Sequence, residues 1–400
     1  MPRYNSSFDG AHLFYRDFVP ANKPPPFQPI SNAEARQTLT LVFLHQWPLS
    51  SRMYDPLLLN LCETHRFRCI APDRRGFGQS DWSGPENNGD IDYSVLARDV
   101  VDLLEKLKPG PFVFVAASMG TGETALAHSV SDYVKDNCKG FVWISTSLPL
   151  PVASADFPDA PPRELWDSVL VSLRGNRSEF VSANFQGPLG VGSGSKVSDK
   201  DIEMFERIFD AADALAIERA VQIFTSEDLT DDLIKFGQEK KGPLLLIHGG
   251  ADGGVPLSSS AERVQKRIPD AQLVVYEGGG HVLVLSHVER LLQDILQFVH
   301  SLQGYDRGAA HEGYGFRLAR KWRDRVPEST IKDDTGANSL QQLTTLYVSE
   351  EFKILQATHM SIMSHIQSAS SHSTTQSIRH DGVLGNRTRI RQMHFRKSRQ

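Results

Sequence analysis

The chain has 400 residues, of which 40% are hydrophobic and 23% charged, and its net charge is −5. This length allows one large α/β domain or two smaller ones, and the composition is typical of a globular protein. No apolar stretch reaches the roughly 20 residues of a membrane span, and the first residues (MPRYNSS) lack the apolar core of a secretory signal. We therefore expect a cytoplasmic protein without a membrane span.

Cysteines and charges restrict the kinds of partner. The three cysteines, Cys62, Cys69 and Cys138, show no metal-ligand spacing and make a poor disulfide framework, so we expect reduced thiols and no metal. Residues 301–400 hold 15 Lys and Arg against 9 Asp and Glu, whereas the first 300 residues hold 28 against 39. This acidic body argues against nucleic acid as a partner of the folded part. The sequence leaves the oligomeric state open.

Apolar runs with the composition of strands alternate with stretches of helical spacing. The expected strands cover residues 8–19, 39–44, 67–71, 111–117, 141–145, 243–248 and 272–276. The expected core helices cover residues 94–107 and about 287–302, and the first ends before Pro109-Gly110. This alternation predicts a mostly parallel sheet with helices on both faces.

Residues 147–240 interrupt the alternation. They are rich in proline at first and then contain helix-like stretches near 163–174, 199–224 and 228–239, divided by a Gly/Ser loop at 187–195. We interpret them as a helical lid over the carboxyl ends of the strands. The expected organisation is thus residues 1–146 and 241–303 as the two parts of one core, residues 147–240 as the lid, and residues 304–400 as a basic tail.

The tail loses the apolar pattern, apart from a weak amphipathic stretch around 340–367. It is interpreted either as a disordered basic extension or as non-native translated sequence, and the second interpretation is favoured because the last expected helix ends near residue 302.

The stretch VAASMGTGE (115–123) places Ser118 between a buried strand and the start of a helix. A one-residue turn from strand to helix strains the backbone, tolerates only small neighbours and projects its side chain at the sheet edge. Ala116 and Gly120 provide those small neighbours, although a G-x-S-x-G pattern would have glycine in place of Ala116. Ser118 is therefore a candidate nucleophile; the alternative is a helix N-cap.

Two later loops contain the groups that a serine nucleophile requires. Asp252 follows the strand at 243–248 among glycines, and His281 follows three glycines after the strand at 272–276. The order Ser, Asp, His along the chain is typical of one class of α/β enzymes. The strand at 39–44 ends in a loop where the backbone N–H of Trp47 can point to the same place as that of Met119. Two such donors form an oxyanion hole.

At these residues the chain resembles the α/β-hydrolases, and within them the cofactor-free haloperoxidase/esterase group. Six segments in order carry the resemblance, which covers about residues 8–302: FLHQWPLSSRMYDPLL (43–58), IAPDRRGFGQSDW (70–82), DYSVLARDVVDLLEKL (92–107), VAASMGTGE (115–123), LLIHGGADGGVPLSSSA (245–261) and VVYEGGGHVLVLSHVERL (274–291).

The resemblance implies that Ser118 is the nucleophile, His281 the general base and Asp252 the acid that orients it. It implies oxyanion-hole amides from Trp47 and Met119, and no cofactor. The family usually has glycine where this chain has Gln46, histidine where it has Ala117, and aspartate where it has Gly250. Glutamine at position 46 puts the geometry of the oxyanion loop in question, because glycine reaches conformations that glutamine does not reach cheaply.

Other motif residues have structural interpretations. The D-x-R-G-x-G-x-S run at 73–80 predicts a turn held by an ion pair, His45 props the oxyanion loop, and His248 ends a strand. Lid-helix capping is the expected role of Asp228, Asp231 and Asp232, with service as the catalytic acid a remote alternative. An apolar acyl pocket or lid packing explains four phenylalanines equally well: Phe180, Phe185, Phe205 and Phe209.

The predicted function is hydrolysis of a carboxylic ester or lactone of a small to medium apolar compound. The same residues also serve a perhydrolase, in which peroxide attacks the acyl-enzyme and the peracid oxidises halide. A non-catalytic binding protein with this fold is a third alternative, disfavoured because Ser118, Asp252 and His281 are all present. An epoxide hydrolase or dehalogenase is disfavoured because those relatives have aspartate at the position of Ser118.

Overall fold

A computed structural model describes residues 2–21, 39–86, 89–155, 157–185, 190–192 and 197–302. The expectations for residues 304–400, including the stretch at 340–367, lie outside the described residues, as does most of the loop at 187–195. Within the described part, no helix combines the length and apolarity that crossing a bilayer requires.

The centre of the fold is an eight-stranded sheet with the strand order β1-β2-β4-β3-β5-β6-β7-β8. The strands are β1 (Arg3–Asn5), β2 (His12–Phe18), β3 (Thr40–Leu44), β4 (Arg68–Pro72), β5 (Phe112–Ala117), β6 (Cys138–Ile144), β7 (Leu244–Gly249) and β8 (Gln272–Tyr276). The pairs β1–β2 and β2–β4 are antiparallel, and all other pairs are parallel. The expected mostly parallel sheet is confirmed.

Eleven α-helices connect or cover these strands in the described residues. They are α1 (Asp55–Leu59), α2 (Tyr93–Leu107), α3 (Gly120–Val130), α4 (Asp132–Asn137), α5 (Arg163–Phe185), α6 (Asp199–Asp210), α7 (Ala214–Ser226), α8 (Thr230–Glu239), α9 (Ala261–Arg267), α10 (Leu283–Ser286) and α11 (Val288–Leu302).

The central strands are continuous apolar runs because both of their faces are covered. Every residue of β3, β5 and β7 is buried. Parallel strands in this position require apolar side chains on both faces rather than an alternating pattern. Since parallel strands end at the same edge, the loops that follow β3, β5, β7 and β8 meet there, and each carries at least one of the candidate site residues.

Helices α5 to α8 lie between β6 and β7 in the chain. The backbone of α5 breaks at Asn176 (φ −153°), whose Oδ1 accepts a hydrogen bond from the Glu179 N–H and so begins a second helical segment. The stretch expected as one helix at 199–224 is divided, because Asp213 accepts from the N–H groups of Leu215 and Ala216 and caps α7.

Helix α8 packs on the sheet. The ring of Phe236 stacks on Trp143 of β6 at 5.1 Å and meets Phe141 edge-on at 4.8 Å. Its contacts favour placing α8 with the core, so that α5, α6 and α7 form the part over the strand ends. We use the word lid for these three helices from here on.

Candidate active site

Ser118 occupies a sharp turn between β5 and α3. Its φ of +50° lies in the left-handed region, and its N–H donates to the Ile144 carbonyl of β6 at 2.9 Å. A Cβ atom at Gly120 would lie 2.9 Å from the Leu44 carbonyl oxygen, so glycine is what allows α3 to start this close to β3. Ala116 is fully buried within β5, where the methyl group that distinguishes it from glycine is accommodated.

His281 and Asp252 form a hydrogen-bonded chain with this serine. His281 Nε2 lies 3.0 Å from Ser118 Oγ, and His281 Nδ1 lies 2.6 Å from Asp252 Oδ2. Because the carboxylate can only accept, Nδ1 carries the proton and Nε2 of the neutral ring is free to accept one. The three residues come from loops that are far apart in sequence and are buried together, with exposed fractions of 6% for Ser118 and 8% for His281.

The second oxygen of Asp252 is fixed by its own loop. Oδ1 accepts from the N–H groups of Gly254 at 3.0 Å and Val255 at 2.8 Å, and Nε2 of His248 lies 3.4 Å from Oδ2. Burial acts to raise the pKa of Asp252, but attraction to His281 and the contacts with both histidines outweigh it and hold this pKa well below its usual range. The carboxylate is thus ionised and fixed in orientation.

The loop that carries His281 is paired with a short segment between α5 and α6. The Gly280 N–H donates to the Val191 carbonyl at 3.2 Å, and the Val282 N–H donates to the Gly190 carbonyl at 2.8 Å. A Cβ atom at Gly280 would lie 2.5 Å from the Gly192 nitrogen. The glycines before His281 therefore permit two backbone segments to come into direct contact beside the candidate base.

The loop after β3 is held by hydrogen bonds to His45. Its Nδ1 donates to the Gln46 carbonyl at 2.9 Å, and its Nε2 accepts from the Arg74 N–H at 2.8 Å. Burial and the nearby Arg74 charge lower the pKa of His45 well below its usual value, so the ring is neutral. The φ of Gln46 lies outside the left-handed region, so glutamine fits this loop without the backbone strain that its replacement of glycine suggested.

Trp47 and Met119 are the predicted oxyanion-hole residues. Within the described residues, neither backbone N–H is engaged in a hydrogen bond. The indole Nε1 of Trp47 donates to the Ile217 carbonyl of α7 at 3.1 Å, which ties the oxyanion loop to the lid. Both N–H groups thus have no competing acceptor among these residues, and their role stays a prediction.

A buried ion pair that the sequence analysis missed connects the two sides of the site. Arg74, directly after β4, pairs with Glu123 on α3, and both side chains are at most 4% exposed. Arg74 Nη2 also donates to the His45 carbonyl at 2.6 Å. The pair therefore links the oxyanion loop to the helix that follows Ser118. A glutamate inside the otherwise uncharged start of α3 was the signal available in the sequence.

A cavity with an empty volume of about 850 Å³ opens above Ser118 and His281, between the lid and the strand ends. Its described wall is mostly apolar and carries no Asp, Glu, Lys or Arg. The lining residues are Gln46, Trp47, Pro48, Ser118, Ser147, Leu165, Trp166, Val169, Phe180, Val181, Asn184, Phe185, Phe209, Phe224, Gly254, Val255, His281 and Val282. Phe205 is fully buried behind this wall and packs on Phe185.

The remaining motif residues have structural contacts. Arg75 is fully buried and pairs with Asp9 and Asp99, so the run at 73–80 is a turn held by ion pairs, as expected. Asp228 accepts from the Thr230 N–H at the start of α8. Within the described residues, no three His, Cys, Asp or Glu side chains are arranged to hold a metal ion.

Sequence comparisons agree with this geometry. A sequence profile for the alpha/beta hydrolase fold matches residues 40–288. A non-heme chloroperoxidase of Kitasatospora aureofaciens is 30% identical over 297 residues, which are 73% of this chain and 97% of that protein. A bifunctional esterase/perhydrolase of Acinetobacter calcoaceticus is 31% identical over 302 residues, which are 74% of this chain and 99% of that protein.

Solved structures add support for the fold. A bromoperoxidase from Bacillus anthracis superposes with a TM-score of 0.62 at 24% identity, covering 75% of this chain and 99% of its own. An esterase from Exiguobacterium antarcticum gives 0.63 at 20% identity, covering 75% of this chain and all of its own. At these sequence identities, the two solved structures support only the fold. Together with the profile and the two relatives, they establish that the chain belongs to the alpha/beta hydrolase family, with esterases and non-heme haloperoxidases among its relatives.

Proposed function

We propose that the protein is a serine hydrolase that cleaves a carboxylic ester or lactone of a small to medium apolar compound. The observation that carries the proposal is the hydrogen-bonded chain from Ser118 through His281 to Asp252, with distances of 3.0 and 2.6 Å, at the floor of a mostly apolar cavity. A hydroxyl, an imidazole and a buried carboxylate in this order are the groups that nucleophilic acyl transfer requires.

In the proposed reaction, Ser118 Oγ attacks the ester carbonyl carbon while His281 Nε2 takes the hydroxyl proton. The negative oxygen of the tetrahedral intermediate accepts from the N–H groups of Trp47 and Met119. The bond to the alcohol breaks, the alcohol oxygen takes the proton from His281, and an acyl-enzyme remains on Ser118. Water, deprotonated by the same imidazole, then attacks the acyl carbon, and the acid leaves as Ser118 regains its proton.

The cavity wall supports a neutral, apolar substrate. Six Trp and Phe side chains of the described lid or loop residues line it: Trp47, Trp166, Phe180, Phe185, Phe209 and Phe224. Burying apolar substrate atoms against them stabilises the complex by about 25 cal/mol per Å² removed from water. A carboxylate on the substrate would find no cationic partner in the described wall, and burying an unpaired charge is costly.

Perhydrolysis is the second candidate, and the Acinetobacter relative, a bifunctional esterase/perhydrolase, favours it. Hydrogen peroxide would take the place of water in the second step and release a peracid, which would then oxidise halide. Peroxide-dependent bromination in acetate buffer distinguishes this reaction from simple hydrolysis.

A non-catalytic binding protein remains the alternative of another class. Failure of a fluorophosphonate to label Ser118 would support it.

The test is hydrolysis of p-nitrophenyl esters of graded chain length, and of lactones, by the wild type and two serine variants. We expect Ser118→Ala to lower kcat by at least about 10³-fold without unfolding the protein. Ser147→Ala is the matched control, because Ser147 also lines the cavity but lies outside the hydrogen-bonded chain. Retained turnover in pure Ser118→Ala protein would exclude the mechanism.

A further inference from the structure

Gln46 introduces a primary amide into the wall of the cavity. The residue is only 3% exposed, and it lines the same cavity as Ser118. Its carbonyl accepts from His45 Nδ1 at 2.9 Å and from the Leu49 N–H at 3.1 Å, so its backbone position is fixed. The point from which the side chain leaves the backbone is therefore fixed, next to Trp47 on the oxyanion loop.

The side-chain amide of Gln46 has no hydrogen-bond partner among the described residues, and neither of its polar atoms is sealed away from the cavity. The other amide in the wall differs, because Asn184 Nδ2 donates to the Phe180 carbonyl at 2.7 Å. Polar side-chain atoms that reach open space are hydrogen-bonded by water or by a ligand, so the amide is available to a bound substrate. Gln46 thus offers donors and an acceptor that the protein does not use.

The position of this amide limits what it can meet. Trp47, the next residue, carries one of the N–H groups that would hold the carbonyl oxygen of the substrate. A hydrogen-bonding group within reach of Gln46 would therefore lie close to the scissile carbonyl, whereas the distant parts of the substrate would contact the aromatic wall.

We propose that Gln46 is a specificity-determining residue that selects substrates with a further oxygen atom, beyond the two of the ester group, two to four bonds from the scissile carbonyl carbon. Ethers, hydroxyl groups and oxo groups at that position meet the description, on either the acyl side or the alcohol side. The inference rests on the proposed hydrolase function and narrows its substrate class to oxygen-substituted neutral esters and lactones.

Isosteric ester pairs test this inference. On the acyl side, p-nitrophenyl butoxyacetate and p-nitrophenyl heptanoate differ by one oxygen in place of a methylene group; on the alcohol side, 2-methoxyethyl and butyl hexanoate differ in the same way. For each pair we divide kcat/KM for the ester with the additional oxygen by kcat/KM for its hydrocarbon counterpart. We compare this ratio between the wild type and Gln46→Met, a variant that keeps the length of the side chain and removes its hydrogen bonds. We expect the ratio to fall by about 2- to 12-fold in one pair, the range of one neutral hydrogen bond.

Asn184→Leu is the matched control, since the nitrogen of that amide already donates to the Phe180 carbonyl; we expect both ratios to stay within about twofold. Gln46→Glu is the second variant: the ether oxygens of the probes can only accept, so an ionised carboxylate cannot replace the amide N–H and the preference should be lost as in Gln46→Met. Equal loss on both members of each pair, or unchanged ratios in Gln46→Met, would overturn the inference. So would a wild type that cleaves the hydrocarbon member of both pairs faster than the oxygen-containing member.

The two proposals fail in different ways. If Ser118→Ala still cleaves heptanoate, the hydrolase mechanism is wrong whatever the ratios show. If turnover depends on Ser118 while both ratios are insensitive to Gln46, the hydrolase proposal survives and only the role of Gln46 is lost.

Discussion

Replacing Asp252 by asparagine tests the group that decides which ring nitrogen of His281 carries the proton. One oxygen of the carboxylate faces His281. The other oxygen accepts hydrogen bonds from the backbone N–H groups of Gly254 and Val255. Asparagine has nearly the same shape but one oxygen and one NH₂ group. It can satisfy only one of these two neighbours as the carboxylate does.

The structure decides which orientation the asparagine adopts. With its oxygen toward His281, the NH₂ group would oppose two N–H donors, and leaving both unpaired would cost about 2–6 kcal/mol. With its oxygen toward the loop, only the histidine must change, by accepting from the NH₂ group at Nδ1 and carrying its proton on Nε2. The second orientation wins, and Nε2–H then points at Ser118 Oγ, 3.0 Å away, where it cannot accept a proton.

We therefore expect Asp252→Asn to lower kcat by about 10⁴-fold, the effect of fixing the wrong tautomer in such a triad, or about 5.4 kcal/mol of barrier. The assay is turnover of a p-nitrophenyl ester together with the rate of Ser118 labelling by a fluorophosphonate, and both should fall. Asp228→Asn, which changes a carboxylate at the start of α8 instead, should stay within about threefold of the wild type. A kcat for Asp252→Asn within about tenfold of the wild type would refute the reasoning.

Three further predictions concern stability and the size of the cavity. Burial lowers the pKa of His128 in the folded state to about 4. Below about pH 6.5 the unfolded state therefore binds more protons than the folded state, so acid destabilises the fold. Replacing the ring in His128→Leu should reduce the loss of unfolding free energy between roughly pH 7.5 and pH 5 by about 2 kcal/mol. Glu123→Leu leaves the buried Arg74 without its partner and should cost about 3–5 kcal/mol in denaturant unfolding. Phe209→Ala should shift the ester preference toward longer chains, with a relative gain in kcat/KM of about tenfold for two added methylene groups.

Each of these predictions has a contrasting variant or outcome. If the free energy of unfolding depends on pH in the same way in the wild type and in His128→Leu, the His128 ring does not take up a proton on unfolding. Glu218→Leu breaks the exposed pair with Arg174 and should cost less than about 1 kcal/mol; an equal cost for both glutamates would contradict a special role of burial. Phe205→Ala should destabilise the protein without changing the chain-length preference, because Phe205 lies outside the cavity lining.

Much of the architecture was readable from local sequence patterns. The buried runs that became β3, β5 and β7 were recognisable because strands covered on both faces are uniformly apolar. Helix α2 was recognisable from its spacing and the Pro109-Gly110 that follows it. The three-residue β1 was missed, because a strand this short is stabilised by its pairing with β2 rather than by its own residues. The division of 199–224 was missed because it depends on one cap, Asp213.

The sequence by itself determined most strands of a mostly parallel sheet, the order of Ser118, Asp252 and His281 along the chain, and their places after strands, because small residues, glycines and apolar runs act locally. Only the tertiary structure decided that these three side chains lie 2.6 to 3.0 Å apart, that Arg74 meets Glu123, and that Gln46 faces the cavity. These contacts join residues from separate elements, and they depend on how the strands are ordered in the sheet and how the lid packs over its edge. No local pattern contains that information.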